Sequence, residues 1–151
     1  MIVETDEIKL CKNIQEYTHD PLGYVLYAFP WGKPGTVLEN ETGPDEWQRK
    51  LLESIGRNCD NLKDALDRVH KYSRGSGNGI GKSTMVAWIV LWGMSTFPDT
   101  RGILTANTDN QIKTKTWPEV GKWYHLCINK HWFSFTKTRL ASVLPGHEDS
   151  W

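Results

Sequence analysis

Residues 76–84 read SGNGIGKST, one position short of the pattern G-x-x-x-x-G-K-[ST]. That pattern describes a loop between a strand and a helix that turns its backbone N–H groups inward around phosphates, and glycines permit both the close approach and the positive φ values this needs. Ser76 stands where the pattern begins with glycine, while Gly77, Gly79 and Gly81 keep the loop's freedom. In this arrangement Lys82 reaches the terminal phosphates and Ser83 offers its hydroxyl to Mg²⁺. The helix starting near Gly81 points its positive end at the same charge. The structural alternative is a glycine-rich loop ahead of an ordinary helix, since short matches of this kind arise by chance.

The elements around the loop decide between these readings. After Lys82 the chain runs STMVAWIVLWGMSTF, apolar almost all round, as expected of a helix buried between a sheet and a second layer. Within it Trp88 and Trp92 stand four residues apart, a spacing that predicts packing. Before the loop, DRVHKYSRG has only Val69 and Tyr72 as clear β-formers, whereas a central parallel strand reads as a continuous apolar run. Elsewhere the pattern predicts a helix over 7–17, an extended aromatic segment YVLYAFPW, and a helix PDEWQRKLLESIG stopping at Gly56. It predicts a further helix NLKDALDRVH, a strand RGILTAN, a helix that starts in TDNQIKTKTW and restarts at Pro118, and a last strand in HWFSFTKTRLAS. Strands alternating with helices imply an α/β fold with a partly parallel sheet. The chain divides into 1–40, a helix and extended segment, and 41–151, which holds the loop.

With 151 residues, 38% of them hydrophobic and 11% aromatic, the chain has enough apolar material for one folded domain. Cys11, Cys59 and Cys127 form no C-x-x-C pair and read as reduced, buried thiols in a reducing compartment. The acidic start MIVETDEIKL is unlike a secretory signal, and MVAWIVLWGM is too short to span a bilayer. No membrane partner is therefore expected. The zero net charge hides an asymmetry, with eight Lys/Arg against thirteen Asp/Glu over 1–70 and ten against five over 71–151. The densest basic stretch, Lys113 to Arg139, interleaves Lys115, Lys122, Lys130 and Lys137 with Trp117, Trp123, Tyr124 and Trp132. Such a mixture can track a nucleic-acid backbone, or it is a solvated face with its aromatics turned to the core. The five histidines show no metal-ligand spacing.

Four segments in order, DPLGYVLYAFPWG, GPDEWQRKLLESIG, SGNGIGKSTMVAWIVLWGMST and DTRGILTANTDNQIKTKTWPEVGKW, carry a likeness over residues 20–140. Here the chain resembles the N-terminal ATPase region of the large terminase subunits of tailed bacteriophages and prophages. The resemblance implies a P-loop NTPase-like sheet with flanking helices, here incomplete. It implies ATP and Mg²⁺ as cofactors and double-stranded DNA as the substrate moved into a procapsid. A terminase small subunit, the portal and procapsid, and other copies of the chain are implied partners, in the cytoplasm of a bacterial host. Phosphate loops of this family commonly depart from the standard pattern, as Ser76 does. By the same likeness Lys82 is the catalytic phosphate-loop lysine and Ser83 the metal-binding hydroxyl, with Ser76, Gly77, Asn78, Gly79, Ile80, Gly81 and Thr84 completing the cradle. Gln48, with Trp47 beside it, falls where these motors place a glutamine that reads adenine.

These motors also need an apolar strand ending in Asp-Glu, for the metal and the attacking water. The pairs Asp6-Glu7 and Asp45-Glu46 precede the loop without an apolar run, and Glu148-Asp149 follows a turn. The expectation is a truncated motor that binds nucleotide without turning it over and lacks a nuclease. A helicase-like ATPase and a non-catalytic prophage remnant are the alternatives.

Overall fold

The computed structural model describes residues 5–60, 69–73, 75, 79 and 81–151. The expected helix NLKDALDRVH falls mostly outside them, as do Ser76, Gly77, Asn78 and Ile80 of the loop.

Helix α1 (Asp6–Gln15) opens on Thr5, whose hydroxyl accepts from the Ile8 N–H, with Asp6 and Glu7 in its first turn and Lys12 in its last. These charges oppose the helix dipole at each end. Helix α2 (Pro21–Ala28) covers the segment expected to be extended. Asp20 accepts from the Gly23 N–H at 2.9 Å and Pro21 occupies the first turn, so both strong N-terminal helix signals are present. A short apolar run reads equally as a buried strand or a buried helix, and here its cap decides.

Helix α3 (Glu46–Asp60) continues through Gly56, where the sequence predicts a stop. The glycine answers a packing need. A Cβ there would lie 2.8 Å from the His19 carbonyl oxygen and 3.2 Å from Pro21 Cδ, where α3 crosses the start of α2.

The central element is α4 (Lys82–Thr96), which buries Met85, Ala87, Trp88, Leu91, Trp92 and Met94. Trp88 and Trp92 are packing residues, as their spacing predicts. Trp88 meets Trp31 and Trp123 edge-on, with centroids 5.9 and 5.0 Å away, and Phe29 meets Trp123 at 4.9 Å. Near the far end of α4 a buried polar knot ties three elements. Ser95 Oγ lies 2.9 Å from the Tyr24 hydroxyl and accepts from Asn129 Nδ2 at 2.9 Å, while the Cys127 thiol donates to Asn129 Oδ1. Burial pushes the Tyr24 phenol and the Cys127 thiol up from their ordinary values, which keeps both neutral.

Residues 101–106 are without regular structure and pair with no strand among the described residues, and Ile103 is 92% exposed. A single helical turn, α5 (Asp109–Gln111), capped by Thr108, leads through a π-helical turn (Ile112–Thr116) into α6 (Trp117–Leu126). The sequence places a restart at Pro118. The π turn carries the chain to it instead, with the Trp117 N–H reaching back to the Ile112 carbonyl, a wider ring of the kind that accommodates irregularities in a helical ladder.

The final expected strand is a hairpin, β1 (Phe133–Phe135) against β2 (Leu140–Ser142), with Phe133 opposite Ser142 and Phe135 opposite Leu140. It is the only sheet among the described residues, which are mostly helical. The chain end is fastened to α4, because the Trp151 indole N–H donates to the Met94 carbonyl at 3.0 Å. Among the described residues no helix is long and apolar enough to cross a membrane.

Candidate phosphate-binding loop

Two glycines of the loop carry left-handed backbone, Gly79 at φ +79° and Gly81 at φ +80°, a region that side chains other than glycine's seldom adopt. Gly81 is the N-cap of α4 and supplies no side-chain cap. The N-cap residue therefore leaves the N–H groups of the first turn without a cap of its own, and such a helix end can accept an anion. Lys82, Ser83 and Thr84, in that first turn, are each half-buried.

Gln48 holds the loop from below. The side chain is buried, its Nε2 donates to the Gly81 carbonyl at 3.2 Å, and its Oε1 accepts from the Asp45 N–H at 2.8 Å. Gly81 is thus constrained twice, since a Cβ on it would lie 2.8 Å from Gln48 Nε2. Gln48 stands beside the loop as the resemblance implies, but both ends of its amide are engaged by backbone. These two bonds use one amide hydrogen and one lone pair of Oε1, and leave one of each. Trp47 is half-buried and packs against the core.

The residue that sequence reasoning missed is Glu119. Its Oε1 accepts from the Thr84 hydroxyl at 2.7 Å and from the Trp123 indole N–H at 2.8 Å. Pro118 and Trp123 are the available sequence signals, an acid directly after a first-turn proline and four residues before an aromatic donor. Neither identifies the loop as its neighbour, because that contact spans 35 residues.

Among the described residues of the segment before the loop there is no strand. Residues 69–73 are without regular structure, Val69 is exposed, and the Tyr72 hydroxyl meets Asn58 on α3. The basic stretch turns its rings inward. Trp117 and Tyr124 stack on Phe135 at 5.0 and 5.2 Å, and Trp123 is buried. Lys113 pairs with Asp109 one turn away. Trp117 and Tyr124 are half-buried, and the Lys113, Lys115, Lys122, Lys130 and Lys137 side chains around them are exposed.

No group of three or more His, Cys, Asp or Glu able to hold a metal occurs among the described residues. Asp99, His147 and Ser150 bring together the residue types of a nucleophilic triad in the wrong order. The carboxylate sits in the middle, 2.7 Å from His147 Nδ1 and 2.8 Å from the Ser150 hydroxyl that donates to it, so no base activates the serine. A hollow of about 750 Å³ lies between α4, residues 101–104 and the chain end. Its lining is mainly apolar and includes Ile89, Val90, Trp117 and Leu140, which suits none of the chemistry of the loop. Comparison of the chain with protein-family models, with curated proteins and with solved structures finds no match.

Proposed function

We propose that this chain is the ATP-binding part of a DNA-packaging motor of the terminase large-subunit type. Residues 41–151 then belong to a P-loop NTPase-like α/β domain, and the cell compartment is the cytoplasm of a bacterial host. The observation that carries the reading is the pair of left-handed glycines, Gly79 and Gly81, the second of them the N-cap of a helix whose first two residues are Lys82 and Ser83. These donors suit a magnesium-bound triphosphate. The first-turn N–H groups and the Lys82 ammonium accept phosphate charge, and the Ser83 hydroxyl is a hard oxygen ligand of the kind Mg²⁺ takes.

In this reading Lys82 neutralises charge on the transferred phosphoryl group, Ser83 holds the metal, and Gln48 sets the height of Gly81 beneath them. A magnesium ion held through the Ser83 hydroxyl would supply neutralisation of charge on the phosphoryl group. Duplex DNA is engaged through phosphates by the basic face of Lys113 and Lys115, in a larger assembly with further copies, a small subunit and a procapsid.

A thermal-shift titration with Mg·ATP tests the reading. Ligand at about 100 times its dissociation constant adds roughly 2.7 kcal/mol to folding stability. The wild-type protein is expected to shift and Lys82→Ala to shift little. An unmoved wild-type protein, or equal shifts in both, overturns the proposal.

A further inference from the structure

The hollow of about 750 Å³ beside α4 has Gly93 among its lining residues. Gly93 follows Lys82 by eleven residues, about 16 Å along the helix axis, so an occupant there is independent of the phosphate loop. Gly93 is the residue that opens this space. It lies inside α4, where glycine is a poorer helix former than alanine, and its backbone is helical, so no unusual φ requires it. Packing does not require it either. Among the described residues a Cβ built on it would meet only Thr100 Cγ2, at 3.9 Å, whereas at Gly56 and Gly121 a Cβ would lie 2.8 and 2.9 Å from its nearest neighbour. A glycine that weakens its helix and relieves no clash leaves room in front of itself, in a molecule whose interior is otherwise close-packed.

That room is apolar and its walls are pinned. Ile89, Val90 and Phe97 line it from α4 and its C-cap, Trp117 and Leu140 from α6 and β2. The Trp151 indole N–H donates to the Met94 carbonyl at 3.0 Å, and the Trp117 indole N–H to the Thr136 carbonyl at 2.8 Å. The Asp99 carboxylate lies 2.7 Å from His147 Nδ1 and accepts from the Ser150 hydroxyl at 2.8 Å. A preformed, mainly apolar concavity of roughly 300–1,000 Å³ is the usual form of a small-molecule site.

The charged lining residues favour an anion, since four are basic and two acidic. Lys113 pairs with Asp109 and Arg139 with Asp149, which leaves Arg101 and Lys137, both exposed, in no ion pair among the described residues. Arg101 donates through Nε to the Ser150 carbonyl at 3.1 Å. Its charge reaches the Asp99 carboxylate, which His147 and Ser150 already engage.

We propose that this hollow binds a small amphipathic anion, an aliphatic carboxylate whose chain fills the space in front of Gly93 and whose head is met by Arg101 and Lys137. Burial of the chain supplies the affinity, and the two cations select the sign of the head.

The probe is decanoate, kept below its micellar concentration at pH 7 and titrated by calorimetry beside decyltrimethylammonium, which carries a similar chain and the opposite charge. The wild-type protein is expected to bind decanoate about threefold or more tightly than the cation. Gly93→Leu, a better helix former that fills the room, is expected to keep the melting temperature and to weaken decanoate binding about tenfold or more. Lys137→Gln, on an exposed side chain, is expected to weaken decanoate about two- to threefold and to leave the cation's affinity no lower, which keeps the proposal testable if Gly93→Leu unfolds. Absence of decanoate binding by the wild-type protein, equal affinity for the two amphiphiles, or wild-type affinity in Gly93→Leu overturns the inference. A dimer that decanoate dissociates in sedimentation velocity would make a second copy the occupant and overturn it as well. Lys82→Ala is expected to bind decanoate as wild type does, so this result and that of the loop are read separately.

Discussion

The Gln48 side-chain amide and the Gly81 carbonyl meet at 3.2 Å across 33 residues of sequence, joining the first turn of α3 to the residue that opens α4. Through this contact the loop's last left-handed residue is held by a buried side chain from another element. Gln48→Leu is expected to cost about 1–3 kcal/mol, because it leaves the Asp45 N–H without its acceptor and removes one of the two bonds to the Gly81 carbonyl, which keeps the Met85 N–H. Equilibrium urea unfolding measures it, and a loss under about 0.5 kcal/mol would mean that water replaces the amide without penalty.

Gly81→Ala is expected to be the more damaging change. It places a side chain at φ +80° and a Cβ 2.8 Å from Gln48 Nε2. The left-handed backbone alone costs about 1–2 kcal/mol, so the variant should lie below Gln48→Leu in melting temperature. The reverse order would show that the loop relaxes freely around residue 81.

At position 56 two effects oppose each other. Alanine is a better helix former than glycine by about 1 kcal/mol, yet its Cβ would lie 2.8 Å from the rigid His19 carbonyl oxygen. Overpacking against backbone costs about 1–3 kcal/mol, so Gly56→Ala is expected to destabilise. A stabilised variant in thermal unfolding would restore the view of Gly56 as a simple helix breaker.

Two surface clasps predict the acid limb of the stability curve. Hydrogen bonds from His147 and then Ser150 hold the Asp99 carboxyl below its usual value, and the Trp132 indole and then His131 do the same for Glu7. A carboxyl depressed in the folded state contributes stability above its unfolded pKa, near 4, and that contribution is lost as pH falls through the folded value. The urea midpoint should therefore fall between about pH 5 and pH 3 in wild type, and less steeply in the double variant Glu7→Gln/Asp99→Asn. Parallel profiles would show that neither clasp forms in solution. Asn is the substitute of choice at 99, where φ is +57°, because it tolerates that region.

Binding of duplex DNA, where it occurs, is expected to be indifferent to sequence and to weaken steeply with salt, since lysine contacts to phosphates release counterions and carry no sequence information. Reversing Lys113 and Lys115 to Glu should abolish it in a fluorescence-anisotropy titration. Affinity unchanged between low and physiological salt, or a sharp preference for one duplex sequence, would count against this.

Local information alone settled a good part of this protein. The all-round apolar run after Lys82 predicts its helix from a few residues, whereas the Asp20 cap and Pro21, equally local, are passed over in favour of an extended segment. The glycines at 79 and 81 were legible locally, since a positive φ is a property of one residue. Tertiary structure decided what those positions face. Gly56 appears to the sequence as a helix stop and to the fold as clearance for His19. The contacts of Gln48 with Gly81 and of Glu119 with Thr84 are likewise made only in the fold. Each of these roles lies in a contact between elements tens of residues apart, and such a contact leaves no periodicity or spacing in the chain because packing, not chain continuity, brings the two side chains together.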